Sequence, residues 1–162
     1  MTHSNNIKEL LSDSLEPIRP GYREMVMQND DPAEIDQSLC KDGLITEIEL
    51  LEIYARALTI PFLDEIEEES FSTDTALMFI NPDYLEEHCC FIYEPAQDIY
   101  ELLVSHPYYL AQHKYFFKRF HNIDVNFKFA RRNFIERAVT SVYRSESENE
   151  LDLINNADEE AL

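Results

Sequence analysis

The sequence predicts an α+β fold: a small N-terminal helical subdomain followed by a small sheet covered by helices. Three observations predict it. Residues 1–64 carry apolar residues at helical spacing with cap signals. From Cys89 onward, period-two stretches alternate with helical ones in the order β-β-α-β-α. A run of glutamates followed by a Ser/Thr-rich stretch separates the two.

Residues 1–29 read as an arm with short helices. Ile7, Leu10 and Leu11 give a short helix at about 6–15, stopped by Pro17 and Pro20, and a second helix can cover Gly21 to Asn29. The helical subdomain proper spans 30–64. Asp30-Asp31-Pro32-Ala33-Glu34 is a helix start, with acids at the positive end of the dipole and proline in the first turn. Ile35, Leu39 and Cys40 share a face, and Lys41-Asp42-Gly43 is a C-terminal stop. Thr46-Glu47-Ile48-Glu49 is a capping box ahead of Leu50, Leu51, Ile53, Tyr54, Ala57 and Leu58, and Pro61 ends that helix. Phe62-Leu63-Asp64 is an extended exit.

Residues 65–76, with Glu65, Glu67, Glu68 and Glu69, read as an acidic linker, and 77–144 as the α+β subdomain. Pro82 opens a short helix to His88. Cys89–Tyr93 and Asp98–Ser105 fit strands. Tyr108–His121 fits a helix with Leu110, Tyr115 (or Phe116, Phe117) and Phe120 inward. Ile123, Val125, Phe127 and Phe129 alternate with Asp124, Asn126 and Lys128, the pattern of a half-buried strand. Arg131–Tyr143 closes as a helix whose apolar face is Phe134, Ile135, Ala138, Val139 and Val142. Residues 145–162, with seven acids and no basic residue, read as an acidic tail or linker.

Composition narrows the function. With 33 Asp+Glu against 13 Lys+Arg the net charge is −20, which opposes nucleic acid at long range. No run is long and apolar enough for direct membrane insertion, and no signal-peptide layout is present, so a cytoplasmic location is expected. Three cysteines make no disulfide framework. Two glycines, Gly21 and Gly43, cannot build a phosphate-cradling loop. Lys114–Arg144 nevertheless holds eight basic residues and two acids, a local balance of +6.

Candidate chemistry is sparse. The glutamate run has neither the burial nor the fixed partner that separates catalytic carboxylate pKa values, so it reads as a solvated loop. His88-Cys89-Cys90 lacks a second pair of ligands at zinc spacing, so Cys89 and Cys90 read as core-edge residues. His106, His113 and His121 sit among aromatics and read as packing or surface residues. No catalytic residue, ligand-binding residue, metal ligand or cofactor follows from the sequence, and no enzymatic activity. The aromatic and basic series around Lys114–Phe120 invites a single-stranded nucleic acid reading. The global charge and the need of those rings for the core oppose it. A basic face docking an acidic protein surface, or the chain's own tail, is the better expectation.

The stretches Asp42-Gly43-Leu44-Ile45-Thr46-Glu47-Ile48-Glu49-Leu50-Leu51 and Ala57-Leu58-Thr59-Ile60-Pro61-Phe62-Leu63-Asp64 resemble the N-terminal domain of type II secretion and type IV pilus assembly ATPases. That domain is also attached to some bacterial glycosyltransferases. The similarity extends through Asn81-Pro82-Asp83-Tyr84-Leu85 and Phe134-Ile135-Glu136-Arg137-Ala138, over about residues 30–155. It implies a non-catalytic module that docks a motor or enzyme onto a membrane-anchored secretion or pilus component, peripheral to the inner membrane through that partner. Leu44, Ile45, Leu50 and Leu51 are expected to pack its helices. Lys118, Arg119, Arg131 and Arg132 are the expected partner-binding residues. The alternative is a nucleotide second-messenger sensor, since a subset of the family binds cyclic di-GMP. Its Arg-Leu-Gly start falls on Glu34-Ile35-Asp36 and its glutamine on Ala57. Two carboxylates facing a dianion would repel it, so no binding of a cyclic dinucleotide is expected at this motif.

Overall fold

A computed structural model describes residues 3–64 and 82–141 of the chain. Four helices come first: α1 (His3–Leu15), α2 (Tyr22–Met27), α3 (Pro32–Lys41) and α4 (Glu47–Leu58). After them come α5 (Pro82–His88), strands β1 (Cys90–Ala96) and β2 (Ile99–Val104), α6 (Leu110–His121), β3 (Val125–Phe129) and a helix over 132–141, α7. The glutamate run, the acidic tail and Val142 lie outside the described residues. No helix among the described residues is long and apolar enough to cross a membrane. The arrangement is the α+β class expected.

Local chemistry explains the boundaries. The Glu49 N–H donates to the Thr46 side-chain oxygen at 3.1 Å, while the Thr46 hydroxyl donates to the Glu49 carboxylate at 2.9 Å. At the end of α3, Gly43 sits at φ +75°. The Leu44 N–H reaches the Leu39 carbonyl at 3.0 Å and the Gly43 N–H the Cys40 carbonyl at 3.2 Å. These are the two bonds of a Schellman motif, and the positive φ is why glycine stands there. Helix α4 stops at Leu58, before Pro61, with Thr59 left-handed at φ 55°. Asn122 ends α6 the same way at φ 54°.

The sheet has the order β1-β2-β3. Strands β1 and β2 form an antiparallel hairpin pairing Cys90 with Val104 and Tyr93 with Glu101. Strands β2 and β3 run parallel, pairing Tyr100 with Val125 and Val104 with Phe129, with α6 as the crossover. The exit from α4 joins β3: Phe62 bridges Phe129, the Leu63 N–H donates to the Phe129 carbonyl and the Phe129 N–H to the Pro61 carbonyl, both at 2.9 Å.

The core is one connected cluster running from Leu11 and Tyr22 through Leu51 and Tyr54 to Phe91, Leu102, Phe117 and Ile135. Two expectations about packing need correction. On α6 the inward residues are His113 and Phe117, while Tyr115 and Phe120 are 65% and 67% exposed. Helical spacing sets 113 and 117 together one turn apart, and seating them turns 115 outward. Leu44, beyond the α3 stop, is exposed, whereas Ile45, Leu50 and Leu51 are buried as expected.

Candidate functional site: a cleft between α3, α4 and the end of β2

The most unusual polar group of the interior is Asp36. It lies on α3 three residues before Leu39 and four before Cys40, hence on the buried face, and is 1% exposed. Its carboxylate accepts hydrogen bonds from Tyr22 of α2 at 2.5 Å, from Tyr54 of α4 and from Tyr108 after β2. The Tyr22 and Tyr108 hydroxyls stand 3.4 Å apart. Burial raises the Asp36 pKa, opposed by the three hydroxyls that favour the charged form. Burial and the neighbouring carboxylate raise the three tyrosines. The aspartate thus ties three helices to the segment after the central strand.

Above it opens a cleft of about 300 Å³. Its apolar floor is Ala33, Leu50, Leu51 and Tyr54. Its polar rim is Gln37, Cys40 and Lys41 of α3, Glu47 at the start of α4, Ser105 and His106 after β2, and Arg132 at the start of α7. The His106 Nδ1 accepts from the Tyr108 N–H at 3.2 Å, which leaves the neutral ring a donor at Nε2. Burial pushes the His106 pKa down to about 4. Arg132 gives its Nε to Glu136 at 2.9 Å, and its backbone N–H donates to Glu47 at 3.4 Å. A second cavity, of about 440 Å³, is lined by Leu85, Glu86, Cys89, Glu136, Val139 and Thr140 and meets the first at Arg132.

The four expected partner-binding cations do not form one patch. Lys118 pairs with Asp124 at 3.4 Å at one end of β3, and exposed Arg119 is beside it. Arg131 and Arg132 follow the other end, about 20 Å along the strand at its usual rise. Arg131 pairs with Asp64 and Arg132 with Glu136. Lys128 reaches Glu101 at 2.8 Å. Asp64 and Glu101, from before and within the sheet, offset two charges of the local surplus of +6, and through them Arg131 and Lys128 link separate segments of the chain.

The motif residues also need correction. Glu34 is exposed, but Asp36 points inward to its three tyrosines, so only one carboxylate faces outward at the motif. Asp36 is instead an anchor of the core. Cys90 is fully buried and Cys89 half-buried beside it. Among the described residues no three His, Cys, Asp or Glu side chains are gathered for a metal ion. His113 is buried with its Nδ1 2.8 Å from the Tyr84 hydroxyl, and burial takes its pKa down to about 4. Sequence spacing gives His106 only a packing or surface role and does not mark the Asp36 cluster. The inward side of position 36 is legible all the same, because the spacing that puts Leu39 and Cys40 inward includes it.

No family model matches the chain, and no curated protein matches it. Solved structures do. A structure of MshE with cdg superposes with a TM-score of 0.62 at 15% identity, covering 85% of this chain and 98% of that one. The N-terminal domain of XpsE covers 86% and 96% at 11% identity, with a TM-score of 0.49, too low to draw on. The chain has the fold of the MshE structure, the fold implied by its resemblance to N-terminal domains of secretion and pilus assembly ATPases.

Proposed function

We propose that this chain is a non-catalytic regulatory and docking module of a bacterial secretion or pilus assembly system, working in the cytoplasm on a membrane-anchored protein partner. The observation that carries this reading is the likeness in fold to MshE over 85% of the chain. The sequence motifs from Asp42 to Asp64 point the same way. The docking face we assign is the Arg131–Arg132 end of β3, where the side chain of Arg132 is about half exposed. Binding of the purified chain to purified cytoplasmic parts of inner-membrane secretion or pilus components tests it. The complex should weaken as salt rises, and the Arg131→Glu/Arg132→Glu double variant should weaken it by about tenfold or more. Equal affinity of a folded double variant would remove that face.

A second reading, a cyclic di-GMP sensor, is favoured by the cdg in the MshE structure and by the inward turn of Asp36. Against it stands Glu34, an exposed acid where the motif has arginine. Titration with cyclic di-GMP should give no heat and no thermal shift. A shift would establish the sensor, since ligand at a hundred times its Kd adds about 2.7 kcal/mol.

A further inference from the structure

We propose that the cleft above Tyr54 binds a small zwitterion with an apolar body, the chemical class of a free apolar α-amino acid. This rests on reading the chain as a regulatory module and supplies that module with a signal. The floor of Leu50, Leu51 and Tyr54 is apolar, yet the rim carries both signs within one small opening: Lys41 and Arg132 against Glu47. Asp36 does not compete, because three tyrosine hydroxyls already occupy its oxygens. Lys41 has no ion pair among the described residues, and Glu136 takes only the Nε of Arg132, leaving its terminal nitrogens for a ligand carboxylate. Among the described residues Glu47 accepts only a long bond from the Arg132 N–H, and its remaining lone pairs suit an ammonium group. The neutral ring of His106, a donor at Nε2, adds a further polar group to the rim. A dianion would meet Glu47 and be repelled; a hydrocarbon would strand the rim groups. At about 300 Å³ the cleft stands at the small end of ligand pockets, which suits an amino acid better than a dinucleotide.

The test is calorimetric titration of the whole chain with L-leucine and L-phenylalanine, beside the matching amino amides and the matching acids without an amino group. The amino acids should bind, and loss of either charge should weaken binding by about tenfold or more. Arg132→Gln should weaken the amino acids but spare the amides, and Glu47→Gln should spare the des-amino acids. Far-UV circular dichroism verifies that both variants fold. No binding up to about 20 mM, or equal binding of amide and acid, overturns the proposal. The same holds if affinity is unchanged in both folded variants. None of these readouts involves a secretion or pilus partner, so the docking reading fails or survives separately.

Discussion

Replacing Asp36 by alanine puts the central polar cluster to a quantitative test. The substitution strips the acceptor from three tyrosine hydroxyls in the interior. Tyr22 and Tyr108, already 3.4 Å apart, can bond to each other, which leaves Tyr54 and the second half of that pair without an acceptor. A buried hydroxyl without a partner costs about 1–3 kcal/mol, and relief of the carboxylate's own desolvation returns part of it, so the net loss should be about 2–5 kcal/mol. Urea unfolding at pH 7, followed by far-UV circular dichroism and tyrosine fluorescence, measures it; the chain has no tryptophan to mask the tyrosines. The pH dependence adds a second check. Burial raises the folded-state pKa of Asp36, so between the unfolded value and the raised one the folded chain holds the extra proton. Its contribution is fully present below the unfolded pKa and falls as pH rises through that window. The deficit of the alanine variant should therefore grow as pH is lowered. A loss below about 1 kcal/mol would mean that desolvation of the carboxylate cancels its hydrogen bonds. A deficit that shrinks in acid would mean that the hydrogen bonds outweigh desolvation and hold the folded pKa below the unfolded one, refuting the raised pKa.

Further outcomes follow from other contacts. His106 and His113 both have folded pKa values of about 4, below the unfolded value of about 6.5, so the unfolded chain protonates first. They remove stability as pH falls from about 6.5 to about 4, and the stability gap between wild type and His113→Gln should narrow across that range; a constant gap would refute it. Lys128→Met strands Glu101, which is 9% exposed and then keeps, among the described residues, the Tyr93 hydroxyl; thermal unfolding should show a loss of about 2–4 kcal/mol. Thr46→Ala removes the cap of α4 and should cost about 1 kcal/mol in urea, with an unchanged m-value.

The sequence made the elements legible wherever local rules decide them. The Thr46 cap, the Gly43 stop and the alternation ending at Phe129 are short-range chemistry, and each appears in the structure as the residues dictate. Packing that depends on distant partners was not legible in the same way. Tyr115 and Phe120 look as apolar as Phe117, and only the seating of α6 against β3 decides that Phe117 goes in. The same limit applies to charge. The surplus between Lys114 and Arg144 looks like a free face until Asp64, Glu101 and Glu47 arrive from other parts of the chain. At Asp36 two signals conflict: the motif position suggests an outward side chain, whereas helical spacing with Leu39 and Cys40 places it inside, and the spacing wins.

The pairing of Phe62 with Phe129 bears on the order in which the chain can assemble. Arg131 and Asp64, which flank that bridge, are 67 residues apart in sequence, and Tyr108 reaches Asp36 across 72. As the polypeptide leaves the ribosome, α1 to α4 can form from local contacts long before β3 exists. During that interval Tyr54 has no Phe129 ring to pack on, and Asp36 lacks the hydroxyl of Tyr108. Loop closure over such separations slows folding relative to helices alone. The nascent N-terminal half therefore waits for β3 to complete the core. A fragment cut before Val125 keeps its helices' caps but loses the strand that holds their exit in place.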